Sequence, residues 1–125
     1  MASQVRRELF AMSFETLRSY LLSKPAAAET FPFDEETLVL KVCGKMFALL
    51  NIYGEPLRVN LKCDPDKAEV LRELFPAIIP GYHMNKRHWN TVILDGSISD
   101  EEIFSMIDDS YDLVVQGLPK SKRPV

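Results

Sequence analysis

At 125 residues, with 46% apolar and 26% charged side chains, the chain has the size and composition of one globular domain. A domain of this length buries roughly two thirds of the surface that its unfolded chain exposes. No apolar run reaches the roughly 18 residues a membrane span needs. Met1 to Glu8 is polar and no signal-peptide stretch follows it, so a cytoplasmic protein is expected. The net charge of −3 repels a polyanion unless the cations are segregated, so the distribution of charge matters more than its total.

In chain order, residues 3–11 offer a further turn or two of helix. From Ser13 as N-cap, the spacing of Phe14, Leu17 and Leu21 then predicts a helix that stops before Pro25. Pro25 to Pro32 reads as a connection. Thr37 to Cys43, Met46 to Ile52 and Leu57 to Cys63 are rich in Val, Leu and Ile, and the breaks between them hold Gly44-Lys45 and Gly54-Glu55. Placed at the centre of type II′ turns, these pairs set Cys43 opposite Met46 and Tyr53 opposite Pro56. In that register Val39, Met46, Ala48, Leu50, Ile52, Leu57, Val59 and Leu61 meet the helices, together with Cys43 and Cys63. The other face is mixed: Leu38, Leu40, Val42, Phe47 and Leu49 lie at one side, and Asn51, Arg58, Asn60 and Lys62 at the other.

Asp64-Pro65 starts a second helix with Ala68, Leu71, Leu74 and Phe75 on one stripe, ending at Pro76. Pro76 to Lys86 reads as irregular. His88 to Leu94 reads as a fourth strand, and Ser99 with Glu102 forms a capping box for a last helix. Ile103, Ile107, Tyr111, Val114 and Leu118 turn inward on that helix, with Asp108, Asp109 and Asp112 in water. A basic tail over residues 119–125 is expected to be frayed. The sum is a two-layer α+β sandwich, an antiparallel sheet with helices on one face.

Little in this order points to catalysis. Cys43 and Cys63 fall two strand spacings apart, roughly 9.5 Å, beyond the reach of a disulfide, so two free, buried, reduced thiols are expected. His83 and His88 match no compact metal-ligand spacing with either cysteine. No nucleophile stands beside a base and an oxyanion site, so neither enzyme nor cofactor is expected. The densest cluster of versatile side chains runs from Pro80 to Thr91. It holds Tyr82, His83, Asn85, Lys86, Arg87, His88, Trp89 and Asn90 and no acid. Cations neutralise phosphates, Trp and Tyr stack on bases and Asn bonds base edges. Arg58, Asn60 and Lys62 join this segment if the fourth strand enters the same sheet. The competing expectation is ordinary packing for Trp89 and Tyr82 and ordinary solvation for Lys86 and Arg87.

At Val42-Cys43-Gly44-Lys45-Met46-Phe47-Ala48, Val59-Asn60-Leu61-Lys62-Cys63-Asp64-Pro65, Pro80 to Val92 and Ser110-Tyr111-Asp112-Leu113-Val114, the chain resembles the MmcQ/YjbR family. The resemblance runs from about Phe14 to Leu118. It implies a fold like that of CyaY, the bacterial frataxin, and DNA binding through paired wing-like structures, with no catalytic residue to carry over. The residues expected to meet DNA are Arg58, Asn60, Lys62, Lys86, Arg87, His88, Trp89 and Asn90. The alternative is a module that binds a protein, a second copy or a small ligand through Leu38, Leu40, Phe47 and Leu49.

Overall fold

The computed structural model describes residues 11–81 and 84–124. All but the last residue of the turn expected over 3–11 falls outside these, as do Tyr82 and His83. The described chain runs α1 (Phe14–Ser23), β1 (Ala27–Thr30), β2 (Thr37–Val42), β3 (Lys45–Asn51), β4 (Arg58–Lys62), α2 (Pro65–Leu74), β5 (Ile78–Pro80), β6 (Trp89–Ile93) and α3 (Asp100–Gln116), closed by a 3-10 turn at Lys120–Lys122. The strands form one antiparallel sheet in the order β1-β2-β3-β4-β6-β5, with the three helices on one face. Among the described residues no helix is long and apolar enough to cross a membrane.

The helix starts follow the cap chemistry read from the sequence. Ser13 and Ser99 accept from the amides of Thr16 and Glu102, and Asp64 accepts from those of Asp66 and Lys67 with Pro65 in the first turn. Two edge strands are additional to the expected four. β1 lies in the stretch read as a connection, where Ala27-Ala28-Glu29-Thr30 pairs with β2, and β5 lies where two prolines suggested irregular chain. Both are short, and an edge strand leaves one side of its backbone free of the ladder, which is where proline is tolerated.

The first hairpin corrects the expected register. Cys43 and Gly44 both have positive φ, 49° and 82°, so they occupy the centre of a type I′ turn, and Val42 pairs with Lys45. Beyond Lys41–Met46 the register shifts, with Leu40 opposite Ala48 and Leu38 opposite Leu50, leaving Phe47 as the extra residue of a β-bulge. Relative to the expectation, β2 slips by one residue and its faces exchange. Leu38, Leu40, Val42 and Phe47 are therefore in the main core under the helices, and Val39 and Met46 are on the opposite face. The sticky patch of Leu38, Leu40 and Phe47 thus does not exist, and Leu49 is buried as well. The second hairpin keeps the expected register, with Ala48 opposite Leu61 and Leu49 opposite Asn60, although its loop is wider than a two-residue turn.

The main core joins Leu17 and Leu21 of α1, Ala68 and Leu71 of α2, and Ile103, Ile107, Tyr111 and Val114 of α3 to Leu40, Phe47, Leu50, Val59, Leu61 and Val92 of the sheet. Phe47 meets the Tyr111 ring edge-on at 5.3 Å. Polar clips finish the helix layer. Tyr20 and Lys24 both donate to Asp108 Oδ1, at 2.7 and 2.6 Å, and Lys67 pairs with Asp109. Of the three acids expected in water, two therefore tie the helix layer together, and Asp112 alone is exposed. Cys63 is buried as expected, whereas Cys43, at the hairpin tip, is exposed.

Candidate functional site

The face of the sheet away from the helices is organised around β4 and β6. Arg58 pairs with Ile93, Asn60 with Thr91 and Lys62 with Trp89, so Arg58, Asn60, Lys62, Trp89 and Thr91 all share that face. Arg58 and Lys62 stand four residues apart on one strand, about 13 Å. Lys41 joins them from β2, because its neighbours Leu40 and Val42 point into the helix-side core. Lys86 and Arg87 occupy an exposed turn that leads directly into β6, beside Lys62.

Local bonds give that turn its shape. The Asn85 side chain accepts from the Arg87 amide at 3.0 Å, and the Asn85 carbonyl accepts from the amides of His88 and Trp89 at 3.1 and 3.0 Å. The Cys63 amide donates to the His88 carbonyl at 2.8 Å and ties the turn to the end of β4. The strand before it approaches so closely that only glycine fits: the Gly81 amide donates to the Trp89 carbonyl at 2.8 Å, and a Cβ at Gly81 would come within 2.8 Å of Trp89 Cβ.

Two of the eight expected contact residues do not present themselves to a ligand. Trp89 is only 9% exposed and forms a second, small core with Val39 and Leu49, flanked by Met46 and Met84. It packs against the sheet and leaves little surface on which a base could stack. Asn90 is 2% exposed and shares the helix-side face with Leu61, where its Oδ1 accepts from Arg72 Nε at 2.7 Å. Alternation explains both outcomes: adjacent residues of β6 must point to opposite faces, and both faces here are covered. His88 and Lys62 are half-buried, as is Asn60, whose Oδ1 accepts from Thr91 Oγ1 at 2.5 Å. Arg58, Lys86 and Arg87 are exposed.

The charges divide by layer. Strands β2 to β6 carry Lys41, Lys45, Arg58 and Lys62 and no acid, whereas the three helices carry ten acids against Arg18, Lys67 and Arg72. On the helix side Arg18, Lys24 and Lys67 are each paired with a carboxylate. Arg58, Lys62, Lys86 and Arg87 make no ion pair among the described residues. Also among the described residues, no three of His, Cys, Asp and Glu gather in a way that would hold a metal ion.

Sequence reasoning missed Arg72 and Ser110. Arg72 of α2 donates to Asn90 Oδ1 and to the carbonyl of Lys86, and more distantly to that of Trp89 at 3.4 Å. Ser110 carried a readable signal, since a serine between Ile107, Tyr111 and Val114 on a buried stripe needs a buried partner. Its hydroxyl accepts from the Lys62 amide at 2.8 Å and donates to the Phe47 carbonyl at 2.6 Å.

These features define a small two-layer α+β protein whose six-stranded antiparallel sheet turns a cation-bearing face away from an acidic helix layer. The chain belongs to the YjbR family, whose model matches residues 22–113. It is 37% identical to YjbR of Escherichia coli K12 over 112 residues, 90% of this chain and 95% of that one. It is 41% identical to YbdF of Escherichia coli O157:H7 over 107 residues, 85% of this chain and 87% of that one. Among solved structures, the Deinococcus radiodurans protein DR2400 superposes with a TM-score of 0.85 at 43% identity, covering 92% of this chain and 88% of that one. A Pseudomonas syringae protein gives 0.71 at 32%, over 82% of this chain and 98% of that one.

Proposed function

We propose that the protein binds DNA without performing chemistry on it, through phosphate contacts from Arg58, Lys62, Lys86 and Arg87. It works in the cytoplasm, where thiols such as Cys43 and Cys63 stay reduced. The observation that carries this reading is the layer-by-layer division of charge, which gives an acidic protein a strip of unpaired cations from β4 to the turn before β6. Asn60, half-buried on the same face, and His88, half-buried at the end of the turn, supply hydrogen bonds to sugar or phosphate. With Trp89 and Asn90 buried, base readout is minor and sequence discrimination weak.

The test is a titration of duplex DNA at several salt concentrations. Four phosphate contacts predict that log K falls with log salt at a slope of about −3.6. Lys86→Ala with Arg87→Ala should reduce the slope by about 2 and weaken binding to all sequences alike. No binding at low salt, or a slope indifferent to these substitutions, would refute the proposal.

A further inference from the structure

We infer that Arg72 is the positioning residue of the cationic turn: its guanidinium, rooted in α2, fixes where Lys86 and Arg87 stand and does not itself meet the ligand. The inference rests on the DNA-binding reading above. The bonds to Asn85 shape the turn but do not place it. Among the described residues two bonds from outside do that, the Cys63 amide on the His88 carbonyl and the Arg72 fork on the carbonyl of Lys86. The same guanidinium reaches Asn90 Oδ1 at 2.7 Å and the Trp89 carbonyl at 3.4 Å, so it spans the turn and the first two residues of β6. Asn90 is buried, and its amide oxygen serves Arg72 rather than a ligand.

The geometry needs a guanidinium. Its planar fork offers Nε to Asn90 and a terminal nitrogen to the carbonyls of Lys86 and Trp89, two donor nitrogens at a fixed spacing where lysine has one. Arg72 is also only half-exposed, on the helix side of the sheet, whereas Lys86 and Arg87 are exposed. Its charge is thus spent on backbone carbonyls while its position sets that of two others.

A duplex-DNA titration over a range of salt, with wild type, Arg72→Met, the Lys86→Ala/Arg87→Ala pair and the triple variant, separates this role from direct contact. Arg72→Met is expected to weaken binding about tenfold or more and to lower the salt slope by about 2, as the pair does, because releasing the turn loses both contacts. The triple variant should then bind no more weakly than the pair. A further loss of about one unit of slope in the triple would make Arg72 a phosphate contact and overturn the inference alone. Arg72→Met binding like wild type would overturn it too. Wild type that binds no duplex removes the parent reading and this role with it. Fluorescence of Trp89, the single tryptophan, reads the positioning itself. Its emission should move to the red in Arg72→Met and in the charge-preserving Arg72→Lys, with circular dichroism unchanged. An unmoved emission in both contradicts the inference.

Discussion

The β-bulge at Phe47 separates two backbone groups that a regular ladder would pair, and Ser110 fills the gap from the helix layer. Counting on from the last regular pair, Ala48–Leu61, Phe47 and Lys62 come next, yet the Lys62 amide and the Phe47 carbonyl meet on the Ser110 hydroxyl instead. Ser110 is completely buried, so Ser110→Ala orphans a donor and an acceptor beneath the helix layer. An orphaned buried polar group costs about 1–3 kcal/mol. The pair therefore predicts a loss of about 2–6 kcal/mol, a large part of the roughly 5–15 kcal/mol that holds a domain folded. Urea unfolding followed by circular dichroism should show the midpoint falling at constant slope, with Tm lower by about 10 °C. Ser105→Ala, on the exposed side of the same helix, is the control and should change stability by less than about 0.5 kcal/mol. A Ser110→Ala loss as small as the control's would mean that β3 and β4 close on each other without the serine, and the reasoning fails.

Partial burial lifts the Asp108 carboxyl, but the hydrogen bonds from Lys24 and Tyr20 outweigh it and hold its pKa below the ordinary 3.8. Its contribution is complete above that value and is lost as pH falls through the lower, folded one, so the Tm gap between wild type and Asp108→Asn should close on acidification below about pH 4. The bond to Asp108, helped by burial, pushes Tyr20 up to about 12. The stability this gives is complete below about pH 10 and lost as pH rises to about 12, and Tyr20→Phe should delete an ultraviolet ionisation step near pH 12. Cys43 is exposed and Cys63 is buried with its pKa raised by that burial, so a thiol reagent should modify one cysteine quickly and the second only on unfolding; two fast thiols would contradict the placement. Gly81→Ala forces a Cβ against Trp89 and should cost about 1–3 kcal/mol, with a shift in tryptophan emission.

What the sequence announced and what it hid differ for physical reasons. Ser13, Asp64-Pro65 and Ser99 are local signals, and each helix starts where its cap stands. The register of β2 was hidden because it depends on a cysteine at positive φ, an uncommon state for any side-chain-bearing residue, and on a bulge compensated by a serine 63 residues away. β1 and β5 were hidden because short edge strands carry too few residues for alternation to show. For the candidate site, Arg58, Asn60 and Lys62 alternate along one strand and were legible as one face. The segment before β6 read as a single cluster, but the pleat divides it. Lys86 and Arg87 go to solvent, Trp89 to the small core and Asn90 to Arg72, a partner 18 residues away that only the fold supplies.

The acidity of the whole chain and the cations of one face act over different distances, and salt can tell them apart. At about 0.01 M ionic strength the Debye length is about 30 Å, long enough for DNA to feel the helix-layer carboxylates through the protein. At about 0.1 M it is about 10 Å, and phosphates at the sheet then respond chiefly to Arg58, Lys62, Lys86 and Arg87. The plot of log K against log salt should therefore bend, steep above about 0.1 M and shallower below, where the net charge of −3 opposes binding. Replacing Asp100, Glu101 and Glu102, exposed at the start of α3, with neutral amides should straighten the low-salt arm and leave the high-salt slope alone. If neutralising those acids strengthens binding equally at every salt concentration, they lie close to the bound DNA, and the sheet face is the wrong surface.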